Sequence, residues 1–201
     1  MSNIALFGGT FDPIHLGHVN LAKAAVSECQ LDKLIFIPNY ISPFKQNRKI
    51  ASGFHRSEMI RRILPENPKF QISDYELERE GPSYTYNTLK YFSERYPDDQ
   101  IAFVVGFDSV LSLDSWYHGE DILREYPIIT GARPGISNPD CFRKIQSYEE
   151  DYRSQITVLN MKPFDVSSSD IRELVRNGKS IAEFVPRSVE KYINENGLYR
   201  D

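Results

Sequence analysis

The chain has 201 residues, enough for one sizeable α/β domain with a real core, or at most two small ones. Hydrophobic residues make up 40% and charged residues 26%, an ordinary globular balance, and the net charge of −4 leaves no electrostatic footprint for general nucleic-acid binding. No apolar stretch approaches the roughly 20 residues of a membrane span, and Met1–Leu6 lacks the basic and apolar regions of a signal peptide. A cytoplasmic protein with no membrane or nucleic-acid partner is therefore expected. Cys29 and Cys141 lie far apart and neither belongs to a C-x-x-C pair, so both are expected as reduced thiols rather than zinc ligands or a redox couple.

Apolar runs alternate with amphipathic segments along the chain. Ile4–Phe7 reads as a buried strand. Gly17–Cys29 reads as a helix with Val19, Ala22, Ala25 and Val26 on one face. Leu34–Ile37 reads as a second strand, stopped by Pro38. Asn39–Gly53 is a polar loop carrying Lys45, Arg48 and Lys49. Arg56–Leu64 is helical, Phe70–Asp74 a third short strand and Thr85–Arg95 a helix. Ile101–Val105 is short, continuous and rich in β-branched residues, as a parallel strand requires. Asp121–Glu125 forms a short helix, and Ile128–Thr130 and Ile156–Leu159 two further strands. Ser168–Arg176 and Arg187–Asn196 are helices, the second stopped by Gly197. The stretch Arg133–Gln155, rich in Pro, Asn, Asp and Glu, reads as a surface excursion. Strand–helix alternation without internal repeats predicts one domain, residues 1–201, built on a doubly wound, Rossmann-like parallel sheet.

The first chemistry lies in Gly8-Gly9-Thr10-Phe11-Asp12-Pro13-Ile14-His15-Leu16-Gly17-His18. Gly8-Gly9 reads as a turn between the first strand and the first helix, where a backbone can approach a ligand closely. The helix that follows points its free N–H groups and positive dipole end at the crevice beyond the strand, which favours an anion. Neither the dinucleotide nor the P-loop pattern is present. His15 and His18, three residues apart at the helix start, can face the same way. Their residue types admit a structural pair, a metal pair, a covalent nucleophile, or hydrogen-bond donors that stabilise charge on a transferring phosphate.

The eleven residues resemble the G-G-T-F-D-P-x-H-x-G-H signature of the nucleotidyltransferase superfamily, which moves a nucleotidyl group from a nucleoside triphosphate onto a phosphate. Three later stretches resemble elements of bacterial nicotinate-nucleotide adenylyltransferases. They are Glu76-Leu-Glu-Arg-Glu-Gly-Pro-Ser-Tyr-Thr-Tyr-Asn-Thr-Leu89, Val105-Gly-Phe-Asp-Ser-Val-Leu-Ser-Leu-Asp-Ser-Trp-Tyr117 and Val166-Ser-Ser-Ser-Asp-Ile-Arg172. Val185-Pro186, Val189, Tyr192-Ile193 and Leu198-Tyr199 match that family's tail. The resemblance spans nearly the whole chain in the right order and is poorest over Arg133–Gln155.

The resemblance implies a nucleotidyltransferase-type fold and an enzyme that moves AMP from ATP onto nicotinate mononucleotide, with Mg²⁺ accompanying ATP. It implies catalytic roles for His15, His18, Lys45 and Arg172. It implies nucleotide contacts at Gly8, Gly9, Thr10, Phe11, Asp12, Gly106, Asp108, Ser167, Ser168, Ser169 and Arg133. Ser83, Tyr84, Thr85, Trp116 and Tyr117 would hold the acceptor, with backbone amides at Thr85 and Tyr117 on the nicotinate carboxylate and Trp116 against the pyridine ring. Each also has a plainer reading: an ST-turn at Ser83–Thr85, packing for Trp116, a helix N-cap for Asp108, and a Ser-capped surface helix for Ser167–Arg172. Two residues depart from the family pattern: Ser169 stands where Thr is usual, and Phe44 where His is usual. Other acceptors are the amide mononucleotide, pantetheine phosphate, or glycerol or choline phosphate with CTP. A non-catalytic nucleotide-binding regulator is the reading outside the class. Oligomeric state, a homo-oligomer included, is left open.

Overall fold

A computed structural model of the chain describes residues 1–40, 50–79, 81–132, 139–161 and 164–200. Six strands form one parallel sheet: β1 (Asn3–Gly9), β2 (Lys33–Pro38), β3 (Phe70–Ile72), β4 (Gln100–Val104), β5 (Ile128–Ala132) and β6 (Ile156–Asn160). Their order is β3-β2-β1-β4-β5-β6, the doubly wound Rossmann arrangement.

Strand alternation divides the core between the two faces of the sheet. Ala5 and Phe7 of β1, Leu34 and Phe36 of β2, and Ala102 and Val104 of β4 face one cluster. Ile4, Leu6, Ile35, Ile37, Ile101 and Phe103 face the other. The central strands are therefore apolar on both faces and read as continuous hydrophobic runs. Each fully buried Val, Leu, Ile or Phe side chain among them contributes about 1.5–3 kcal/mol.

The first face is covered by α1 (Leu16–Glu28), α2 (Gly53–Arg61), α7 (Ser168–Arg176) and α8 (Arg187–Glu195). The second is covered by α3 (Thr85–Arg95), α4 (Phe107–Val110), α5 (Gly119–Glu125) and α6 (Pro139–Tyr152). Among the described residues no helix is long and apolar enough to cross a membrane. Both thiols are free.

The structure corrects two expectations. Gly8 and Gly9 do not form a turn. They continue β1, in register with Ile37 and Pro38 of β2, because the ladder on that side persists beyond Phe7. The turn comes later, at Phe11, whose φ is 50°. The stretch Arg133–Gln155 is also more than a surface excursion, since it contains the 14-residue α6. Its polar composition hides an apolar stripe of Cys141, Ile145 and Tyr148 at helical spacing, all buried against the sheet.

Candidate active site

β1 and β4 are neighbours, yet the chain leaves β1 for α1 on one face and β4 for α4 on the other. This is the switch point at which open α/β sheets bind ligands, beyond the carboxyl ends of the strands. A two-part crevice opens there. One cavity, of about 360 Å³, lies on the side of α1 and α7. The other, of about 680 Å³, lies on the side of α3 and Trp116. Both sizes fall within the range of small-molecule sites. The two cavities share Thr10, Gly106, Asp108 and Ser109, so they adjoin along that wall.

The smaller cavity is built on two helix starts. His15 is the N-cap of α1 and His18 its third residue, and the His15 N–H donates to His18 Nδ1 at 3.3 Å. That bond occupies Nδ1, so a neutral His18 carries its proton on Nε2 and presents a donor. The two imidazoles stack with centroids 3.7 Å apart. Phe164 covers the other face of His15 at 5.2 Å. Gly17 makes this sandwich close, because a Cβ there would lie 2.6 Å from the Phe164 ring and 3.0 Å from the His15 ring.

Ser167 caps α7 through its Oγ, which accepts from the Asp170 N–H at 3.2 Å, and Asp170 reciprocates. Ser168 Oγ donates to Pro13 O at 3.0 Å, tying α7 to the loop after β1. Arg172 Nη1 donates to Asp12 O at 2.7 Å, and Nη2 to Ser169 Oγ at 3.2 Å. Gly106 is the N-cap of α4, and Asp108, exposed, stands in its first turn at the junction of the cavities. The Phe11 ring is packed inside against Phe7 and Phe36, so it meets the crevice chiefly at its backbone.

Beneath the loop lies Arg56, only 1% exposed. Its Nε donates to Ala51 O at 3.1 Å, Nη1 to Thr10 O at 2.9 Å and Nη2 to Asn39 O at 2.7 Å. Burial lowers the pKa of this guanidinium, and the charge of Asp12 pulls it part-way back. One cation thus fastens the loop after β1 to the segment ends at Asn39 and Ala51.

The larger cavity is ringed by aromatic side chains. Tyr84 is the N-cap of α3 but supplies no side-chain bond, so the first N–H groups of that helix, beginning at Thr85, are uncapped by it. Ser83 Oγ instead accepts from the Tyr40 N–H at 3.0 Å. Below, the buried Glu76 accepts from Thr88 Oγ1 at 2.6 Å. Burial pushes the Glu76 carboxyl above the usual range, against the Thr88 and Ser83 hydroxyls and the Arg56 charge. The Tyr84 and Tyr117 rings lie 4.5 Å apart. Trp116 donates from Nε1 to Ser112 Oγ at 3.1 Å and lines the same cavity as Thr85 and Tyr117.

Comparison with known proteins agrees with this geometry. The cytidylyltransferase-like family model matches residues 6–174. The chain is 38% identical over 199 residues to a probable nicotinate-nucleotide adenylyltransferase of Carboxydothermus hydrogenoformans, covering 99% of this chain and 98% of the relative. It is also 38% identical to the nicotinate-nucleotide adenylyltransferase of Bacillus subtilis, covering 99% of both chains. The chain belongs to the nicotinate-nucleotide adenylyltransferase family. In fold it is similar to Plasmodium falciparum nicotinic acid mononucleotide adenylyltransferase complexed with NaAD, with a TM-score of 0.79 at 21% identity over 99% of this chain and 98% of the other.

Within this family member, the structure brings His15, His18, Arg172, Ser167–Ser169 and Asp108 to one cavity, and Ser83–Thr85, Trp116 and Tyr117 to the other. Lys45, Phe44 and Arg133 lie outside the described residues. No local sequence signal marks Phe164, Arg56 or Tyr199, which touch the site only through long-range folding. Gly17 stands out in the sequence only as part of the opening motif. Among the described residues no cluster of three or more His, Cys, Asp or Glu is arranged to hold a metal ion.

Proposed function

We propose that the protein transfers AMP from Mg-ATP to the 5′-phosphate of nicotinate mononucleotide, releasing pyrophosphate and forming deamido-NAD, a step of NAD biosynthesis in the cytoplasm. The observation that carries this reading is the pair of cavities meeting at Thr10, Gly106, Asp108 and Ser109: one is lined by anion-binding helix starts, the other by aromatic rings. The triphosphate lies against α1 and α7, and the nucleotide acceptor in the aromatic half. An acceptor phosphate oxygen attacks the α-phosphorus, the bond to the bridging oxygen breaks, and its electrons leave with pyrophosphate. The nucleophile is already an anion, so no side chain has to remove a proton. Catalysis is positioning and charge stabilisation.

In this proposal His15, His18, Lys45 and Arg172 neutralise phosphate charge. Gly8, Gly9, Thr10, Asp12 and the Phe11 backbone shape the loop around the phosphates. Gly106, Asp108, Ser167, Ser168, Ser169 and Arg133 contact the nucleotide. Mg²⁺ would accompany ATP and neutralise triphosphate charge, drawing on few protein ligands. Asp108 is an exposed carboxylate of the shared wall and fits such a metal. The N–H groups at Thr85 and Tyr117 hold the nicotinate carboxylate, while Trp116, Tyr84 and Tyr117 flank its ring and Ser83 braces the turn.

The test is product formation from Mg-ATP and nicotinate mononucleotide. The proposal expects deamido-NAD and pyrophosphate in equal amounts. ATP binding without pyrophosphate release would instead support a nucleotide-binding regulator.

A further inference from the structure

The tail of the chain reaches Asp12, in the loop that walls the smaller cavity. Beyond α8, Gly197 and Tyr199 adopt left-handed conformations, with φ of 59° and 64°. The chain turns back, and the Tyr199 hydroxyl donates to Asp12 Oδ1 at 2.7 Å. Burial and the Asp12 charge push the Tyr199 pKa up, so the phenol remains a donor.

The two oxygens of Asp12, a residue 2% exposed, are treated differently. Oδ1 accepts from Tyr199 and from the Ala51 N–H at 3.1 Å. Oδ2 has no hydrogen bond among the described residues and faces Arg172 Nη1 at 3.5 Å. Arg172 is the guanidinium within ion-pair distance of it, while Arg56 feels the Asp12 charge from farther off. Arg56 is already committed, since its three nitrogens are held by the carbonyls of Ala51, Thr10 and Asn39. Arg172 is divided: Nη1 turns to Asp12, while Nη2 touches Ser169 Oγ at the wall of the crevice. A carboxylate and a guanidinium pair best in bidentate fashion. Rotation of the Asp12 carboxylate toward Arg172 would draw both amino groups inward and away from the ligand. The bond from Tyr199 opposes that rotation.

We propose that Tyr199 is a positioning residue for nucleotide binding: by pinning Asp12, it keeps one edge of the Arg172 guanidinium available to the triphosphate. The assignment of that ligand rests on the adenylyl-transfer reading; the contacts do not.

Tyr199→Phe removes one oxygen and keeps the ring. Calorimetric titration with Mg-ATP alone is expected to show Kd raised about tenfold, the worth of one hydrogen bond to a charged group. In steady state KM for Mg-ATP rises likewise, while kcat and KM for nicotinate mononucleotide stay within about twofold. In an Arg172→Lys background, where no fork exists to be drawn in, Tyr199→Phe is expected to change Mg-ATP affinity by less than about twofold. Three results would overturn the proposal: unchanged Mg-ATP affinity, equal weakening of both substrates, or additivity of the two substitutions. Loss of the fold in Tyr199→Phe would make Tyr199 a stability residue and would overturn it too. Wild-type protein that binds Mg-ATP but releases no pyrophosphate would sink the adenylyl-transfer reading instead, a failure visible without any variant.

Discussion

On the side of the crevice proposed for the nucleotide, Asp12 and Arg56 are buried and belong to a set of hydrogen bonds that joins four distant segments of the chain. On the side proposed for the acceptor Tyr117 is 50% exposed, and its ring meets those of Tyr84 and His118. The two halves answer different demands. A triphosphate presents fixed charge, and fixed charge is stabilised best by dipoles and donors that need no reorganisation. An acceptor must be told apart from close relatives, and a ring of aromatic surfaces around a few backbone donors does that through shape and a small number of polar contacts. Changes on the first side should therefore appear in kcat or in the affinity for ATP. Changes on the second should appear in KM for the acceptor alone.

The largest effect is expected from His18→Ala, which deletes both the Nε2 donor and the acceptor of the His15 N–H bond. Turnover should fall about 100- to 1000-fold, the usual loss for a donor aimed at developing charge. Pyrophosphate release near the wild-type rate would show that the histidine pair is structural.

A smaller effect is expected from Trp116→Ala. Loss of one stacking face should raise KM for nicotinate mononucleotide about tenfold and leave KM for Mg-ATP unchanged. If both constants moved together, the division of the crevice into two halves would fail.

The smallest is a stability effect at the wall between acceptor pocket and core. Burial holds the Glu76 carboxyl above its ordinary pKa. A carboxyl raised on folding is favoured in its protonated form, so its stabilising proton is present at low pH and lost as pH rises through the folded value. Above that value the buried charge is a cost. Glu76→Gln keeps an oxygen for Thr88 and removes the charge, so it should raise the melting temperature at pH 8 and by less at pH 5. An equal or reversed increment would contradict this account of the wall.

Much of the fold was legible because β1, β2 and β4 are buried on both faces, so their sequences are unbroken apolar runs bounded by polar or turn residues. Helices α3 and α7 were legible to the residue, since Thr85–Arg95 and Ser168–Arg176 begin at Ser- or Thr-containing turns. Helix α6 was missed because its composition is polar and acidic; only the spacing of Cys141, Ile145 and Tyr148 betrays it. The glycine pair was misread as a turn because local sequence does not reveal that β2 extends the ladder beside it. In the site, His15 and His18 lie within one helical turn, and short-range spacing suffices to bring them together. Phe164 against His15, Arg56 under Thr10 and Tyr199 on Asp12 depend on contacts between segments far apart in sequence. A buried arginine in a helix looks like any surface arginine until the fold closes over it.

The central claim is that backbone donors at the start of α3, to which the N-cap Tyr84 supplies no side-chain bond, read the carboxylate of the acceptor. Its most direct test compares kcat/KM for nicotinate mononucleotide and for the corresponding amide under identical Mg-ATP conditions. The account predicts a preference for the acid of about 100-fold or more, equivalent to about 2.7 kcal/mol. Equal values for acid and amide would contradict it.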